Sequence, residues 1–320
     1  MDAATPAASD GPVVDGDSPR RTSWRRALVS GLLLLLVVVA FGWALAGQWS
    51  DVVDALRDQS PWVLLGALGL CLLAVWMSFL LWRGTLRALG SPLAVQPAAR
   101  MFFVAQLGKY VPGSVWPVVV QMRLGKENGI PKQRTALAFL LTLGLSVLVG
   151  LLVGVAALPA LVEAEGRGVL WGLLALPVLL ALLVPRVLNQ LLNRGLRLLR
   201  RPPLDEPFAG KDMARGVAWT LLFWLVFGLH VWLLAVGLDA DPWETLPVAI
   251  GGFAVAFSIG PLLVVLPAGA GVREAVLVVL LAGVLTTSEA TAVALTSRGL
   301  LMATDGLLAL GTGLLMRQRD

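Results

Sequence analysis

At 320 residues, with 58% hydrophobic and 14% charged residues, the chain is too apolar for a soluble globular domain, which is nearer half apolar and a quarter charged. Its single cysteine, Cys71, excludes an intramolecular disulfide, and its single histidine, His230, leaves no Cys/His cluster with metal-ligand spacing. The net charge of +5 sits in short stretches between apolar runs, which points to anionic lipid headgroups and away from nucleic acid.

The apolar residues gather in runs of about twenty, the length a helix needs to cross a bilayer. In hydrocarbon every backbone amide needs an internal partner, so only helices or closed barrels cross. Barrel strands alternate over about ten residues, and these runs are longer and continuous. The pattern predicts an all-α polytopic membrane protein.

The first 22 residues, rich in Ala, Asp, Gly and Pro, read as a disordered cytosolic tail. Residues 23–320 read as a single integral membrane domain. Arg20, Arg21, Arg25 and Arg26 precede the first run, Ala27 to Gly47. Ala44-Leu45-Ala46 resembles a signal-peptide cleavage site, but the run exceeds a usual signal core, so a retained span is expected. Full spans are expected near 27–47, 62–82, 135–158, 168–185, 214–236 and 290–315. Two further apolar regions are broken, at about 97–124 and 246–285, and each reads as a re-entrant hairpin or a pair of short tilted crossings. Both options return the chain to the side it left, so the orientation of the rest does not depend on the choice.

Loops on one side are basic, carrying Arg83, Arg87 and Arg100, then Arg123, Lys126, Lys132 and Arg134, then the stretch from Arg186 to Lys211. The alternate loops are acidic, with Asp51, Asp54 and Asp58, then Glu163 and Glu165, then Asp239, Asp241 and Glu244, then Glu289. This alternation predicts a multi-pass protein of the cytoplasmic membrane with both termini in the cytosol. Trp24, Trp49, Trp62, Trp82 and Trp243 fall near span ends, where indoles favour the interface.

The breaks carry the chemistry. The first reads Gln106-Leu107-Gly108-Lys109-Tyr110-Val111-Pro112-Gly113-Ser114-Val115-Trp116, and the second Leu266-Pro267-Ala268-Gly269-Ala270-Gly271-Val272-Arg273-Glu274. Proline removes a donor and glycine permits a turn, so each sequence interrupts a helix. Paired breaks in the two halves of a membrane protein point to a midplane binding site. A half-helix restarting after a break presents free N–H groups that favour an anion. Lys109 and Arg273 add full positive charges, and a lipid phosphate is the natural ligand. Snorkelling to an interface is the plainer reading of the same two cations.

Glu274, in a first helical turn, is either a structural carboxylate, stabilised by the helix dipole and compensating Arg273, or a direct participant in the site. Arg298 and Asp305 lie seven residues apart in the last span and face the same side, so they pair through intermediate polar groups or each meets a different partner. Arg298 either pairs with Glu274 or contacts the ligand. Tyr110 and Trp116 serve as interface anchors or as headgroup contacts. His230, mid-span, reads as a packed, hydrogen-bonded histidine.

Gly108-Lys109-Tyr110-Val111-Pro112-Gly113 followed by Trp116 resembles the first signature of the lysylphosphatidylglycerol synthase transmembrane region family, also described as flippase-like membrane proteins. Leu266 to Glu274 resembles its second signature, and Gly129-Ile130-Pro131 and Arg298 fit the same family. The resemblance implies a bacterial lipid-translocating domain. Longer members flip an aminoacylated phospholipid made by an attached cytosolic synthase domain. The sequence here shows no such domain, so no enzymatic activity is expected, and no cofactor or metal. The implied lipid-binding residues are Lys109, Tyr110, Pro112, Gly113, Trp116, Pro267, Gly269, Gly271, Arg273, Glu274 and Arg298. The expected cargo is an anionic phospholipid or lipid-linked glycan. The alternative is a non-enzymatic membrane partner of a separate glycosyltransferase or lipid synthase. Two departures stand out: Ala268 occupies a position where glycine is common, and the span after Arg134 lacks the acid often found there.

Overall fold

The computed structural model describes residues 57, 59–111, 115–160, 173–174, 176–198, 200, 209–260 and 271–317. The expected tail, the first span near 27–47, and Pro112, Gly113, Pro267 and Gly269 lie outside these residues. All regular structure among the described residues is helical.

Helix α1, Pro61–Ala88, starts on a proline whose missing N–H would have no partner in a first turn. It stops at Gly90, where φ is +75° and Ser91 N–H returns to the Leu86 carbonyl at 3.1 Å. Helix α2, Val95–Gln106, tightens into a single 3-10 turn, Leu107–Tyr110, at the first break. Helix α3, Trp116–Glu127, resumes with Pro117 in its first turn. It ends as α1 does, at Gly129 with φ +73° and with Ile130 N–H on the Gly125 carbonyl at 2.8 Å. The two arms, α2 and α3, have 12 residues each. Each rises about 18 Å, less than a hydrocarbon core of about 30 Å, and they pack against one another.

Helix α4, Lys132–Ala156, follows, then α5, Leu176–Leu182, and α6, Pro185–Leu198. Helix α7, Gly210–Val236, packs along α1. The bond from Gln59 Nε2 to the Leu234 carbonyl joins the start of α1 to the end of α7. Helix α8, Pro242–Ile259, is capped by Asp241, which accepts from the backbone N–H groups of Trp243 and Glu244 at 2.9 Å. Helix α9, Val272–Leu281, resumes after the second break and packs on α8, and α10, Thr287–Arg317, closes the bundle.

Five described helices, α1, α4, α7, α8 and α10, are long and apolar enough to cross a membrane. Counting α5 and α6 as one bent pair makes six. Two expectations change. The first arm of the second broken region is by itself long enough to span. The expected span near 168–185 is described only in part, as the seven-residue α5, and the chain then bends by 79° into α6. The stretch after Arg186, expected as a loop, begins with that 14-residue helix.

Small residues set the central spacing, as in other membrane bundles. Gly154 of α4 faces Val255 of α8, Gly251 of α8 faces Ala157, and Gly228 of α7 faces Ile250. Around them Phe223, Trp224, Phe227, Phe253 and Phe257 form an aromatic cluster, with ring centroids 4.8–6.5 Å apart. A second core, with Phe79, Trp82, Phe102 and Phe103, holds α2 against α1.

Candidate functional site

Both breaks deliver a cation to one cavity of about 210 Å³. Lys109 reaches it from the 3-10 turn that ends α2, and Arg273 from the first turn of α9. Phe102, Phe139, Phe223, Phe227 and Phe257 supply apolar wall, and Ser78, Gln106, Gln121, Thr142 and Ser146 supply neutral polar groups. The turn that carries Lys109 is locked by close approach. A Cβ on Gly108 would lie 2.9 Å from the Pro117 nitrogen and 3.0 Å from the Trp116 carbonyl carbon, both backbone atoms.

Each cation has a carboxylate behind it. Lys109 Nζ lies 2.6 Å from Asp305 Oδ2, and Tyr110 donates its hydroxyl to the same oxygen at 2.7 Å. Asp305 is 1% exposed, against 26% for Lys109, so the acid sits in protein and the amine faces the cavity. Glu274 is the second hub. Its Oε1 accepts from Arg273 Nη2 and from Arg298 Nη1, both at 2.9 Å. Its Oε2 accepts from the Gly271 N–H at 2.7 Å, capping α9. Gly271 has φ +85°, which is why glycine is needed there. Three cations, Lys109, Arg273 and Arg298, stand against two carboxylates, Glu274 and Asp305, so the cluster carries one net positive charge. The Arg273 guanidinium also lies over the Phe257 ring, 5.7 Å from its centroid.

The structure thus sorts the residues singled out in the sequence. Lys109 and Arg273 line the cavity. Glu274 and Gly271 organise the start of α9. Arg298 is buried against Glu274 and is not among the lining residues. Arg298 and Asp305, on one face of α10, meet different partners. Tyr110 is buried on Asp305 and so is no surface anchor. Trp116 packs with Leu107, Val111 and Ala309 beside the first break. His230 accepts from or donates to Ser297 Oγ at 2.8 Å and lies against the Phe227 carbonyl, a packed histidine as expected.

Sequence reasoning missed three features. The sequence left Asp305 either pairing with Arg298 or meeting a different partner, and did not identify that partner as Lys109. Trp82 was expected at an interface but is fully buried and lines the cavity, while Trp62 and Trp243 are exposed. Thr142 and Ser146, one helical turn apart on α4, were legible as a polar stripe in an apolar span.

Taken together, the long apolar helices and the charged cluster held between them define a multi-pass α-helical membrane protein. The family model described as lysylphosphatidylglycerol synthase TM region matches residues 28–309, and the chain belongs to that family, whose members are membrane proteins of lipid metabolism or transport. Comparison with curated proteins found no match.

Proposed function

We propose that the protein is a translocase that moves an anionic lipid across the cytoplasmic membrane, with both of its own termini in the cytosol and without chemical turnover of the lipid. The supporting observation is that Lys109 and Arg273, on separate interrupted helices, line one cavity in a cluster of net positive charge. Charge held inside a membrane is costly and is retained where it has work to do. A phosphate between the two cations would neutralise the excess, and in a low-dielectric cavity that attraction is stronger than at a surface. The aromatic wall keeps the surroundings of that phosphate apolar. Paired broken helices from the two halves of the chain supply the short elements that alternate a site between two sides.

The test is lipid movement in proteoliposomes holding fluorescent phospholipids, scored per correctly folded molecule. Lys109→Ala and Arg273→Ala should each slow the movement of anionic lipid severalfold, with Lys109→Arg losing less because charge is kept. Wild-type rates in both alanine variants would remove the anion site.

A further inference from the structure

Beyond its two cations, the cavity holds neutral polar atoms that the protein does not use. Trp82 Nε1, Gln121 Oε1 and Thr142 Oγ1 are buried and have no hydrogen-bond partner among the described residues. All three residues line the cavity, and their exposures are 0%, 2% and 8%. They come from three different helices, α1, α3 and α4. A buried polar atom without a partner is destabilising, and its retention calls for an explanation. Three such atoms around one small cavity share an explanation if a ligand completes them.

Their chemistry describes that ligand. The indole N–H only donates, the amide oxygen only accepts, and the threonine hydroxyl does both. A group that satisfies all three must itself donate and accept, which a hydroxyl does and an ammonium does not. Charge points the same way. Among the described residues, the charged ones that line the cavity are Lys109 and Arg273, and no carboxylate is with them. The break segments 112–114 and 261–270 contain no Asp or Glu either. Among the described residues, an ammonium headgroup would therefore meet cations and no carboxylate lining the cavity. Size sets a further bound. About 210 Å³ is below the roughly 300–1,000 Å³ of pockets that enclose a whole drug-sized ligand. The cavity takes a headgroup and leaves acyl chains outside.

We infer that the cavity selects a phosphodiester lipid whose headgroup is a small, uncharged polyol. Lys109 and Arg273 take the phosphate, and Trp82, Gln121 and Thr142 read the hydroxyls. This inference rests on the proposed anion site and narrows its ligand.

The test compares three fluorescent lipids competing for the purified full-length protein in detergent. Phosphatidylglycerol has the polyol, phosphatidic acid has the phosphate without it, and phosphatidylethanolamine has an ammonium instead. The wild type should bind phosphatidylglycerol more tightly than either of the others. Thr142→Val, Gln121→Met and Trp82→Phe keep side-chain bulk while removing one polar group each. Each should lower the ratio of phosphatidylglycerol to phosphatidic acid binding by about fivefold, the worth of one neutral hydrogen bond. The ratio is read on folded protein, so a variant that folds poorly leaves the other two to decide. Equal wild-type affinity for phosphatidylglycerol and phosphatidic acid, or an unchanged ratio in the variants, overturns the polyol reading alone. Lys109→Ala should weaken both anionic lipids together. If it weakens neither, the anion site itself fails, and that result is distinct from loss of the headgroup preference.

Discussion

Asp305 of the last helix holds Lys109 of the first break at 2.6 Å, across 196 positions of sequence. The same carboxylate oxygen accepts from Tyr110, so one buried acid fixes two consecutive residues of the 3-10 turn. This contact, together with the packing of Leu107 and Val111 on Ala309, ties the tip of the first broken helix to the last one. Asp305→Asn keeps an acceptor for Tyr110 but leaves Lys109 without its counter-charge. Breaking a fully buried pair costs roughly 3–5 kcal/mol. Lys109 is partly exposed, so a loss of about 2–3 kcal/mol is expected. Tyr110→Phe removes one charge-assisted bond and should cost about 1.5 kcal/mol. Denaturant unfolding in detergent measures both, and a larger loss for Tyr110→Phe would contradict the assignment.

The Glu274 hub separates stability from ligand binding. Glu274→Gln leaves Arg273 and Arg298 facing each other without the charge that joins them. A loss of about 3–5 kcal/mol follows. Arg298→Met should cost less, because Arg273 still pairs with Glu274. Since Arg298 is absent from the cavity wall and acts only through the cluster's excess charge, the folded fraction of that variant should lose less lipid binding than Arg273→Ala does. Arg273→Ala should do the reverse, staying folded through the Arg298 pair while losing the lipid. Melting temperature together with lipid binding per folded molecule checks the order. Equal loss of binding in Arg298→Met and Arg273→Ala would place Arg298 in the site.

Two glycine substitutions test whether the first break needs close backbone approach. At Gly108 a Cβ would meet backbone atoms of Trp116 and Pro117, which cannot rotate away. Overpacking of that kind costs about 1–3 kcal/mol, so Gly108→Ala should lower the melting temperature. Gly69 lies within α1 and has nothing within 4 Å of its Cβ position. Alanine there should stabilise by up to about 1 kcal/mol through helix propensity. The opposite signs for the two changes are the expected result.

Much of the architecture was legible because membrane crossing constrains sequence strongly. The length of each apolar run placed spans near 62–82, 135–158 and 214–236, where the structure has helices over 61–88, 132–156 and 210–236, and Pro/Gly chemistry pointed to the breaks. The pairing of Lys109 with Asp305 was not legible. Nothing in a helical pattern says which of several distant turns an acid will face, and Asp305 lies equally near Arg298 along its own helix. Trp82 misled for a related reason. An indole near the end of a span usually marks an interface, but α1 runs on to Ala88, which places Trp82 deeper than the run of apolar residues implied. The bend after α5 was hidden because Leu183-Val184-Pro185 continues an apolar run, and the proline there opens a new helix at an angle.

That new helix, α6, gives the last prediction. Val187, Leu188, Leu191, Leu192 and Leu196 fall on one side of it, and Arg186, Gln190, Asn193, Arg194 and Arg197 on the other. Leu188, Leu192 and Leu196 pack with Leu89, Leu137 and Leu141, which lie at the ends of α1 and α4. Arg83, Arg87, Lys132 and Arg134 stand at those same ends, and Arg134 bonds the Gly90 carbonyl there. The helix therefore sits at the basic end of the bundle. Its three arginines make a buried crossing costly, and the bend of 79° turns it away from α5. Leu191 and Leu198 remain exposed at 44% and 85% on the apolar side. Acyl chains cover such a stripe when a helix lies in the interface, with arginines at headgroup level. In a Cys71→Ala background, which removes the only cysteine, spin labels at Leu191→Cys and Arg194→Cys report depth in reconstituted bilayers. The Leu191 label should collide preferentially with oxygen, which concentrates in hydrocarbon, and the Arg194 label with a water-soluble nickel chelate. Strong nickel access at both positions would place α6 in water, with its apolar stripe reserved for a protein partner.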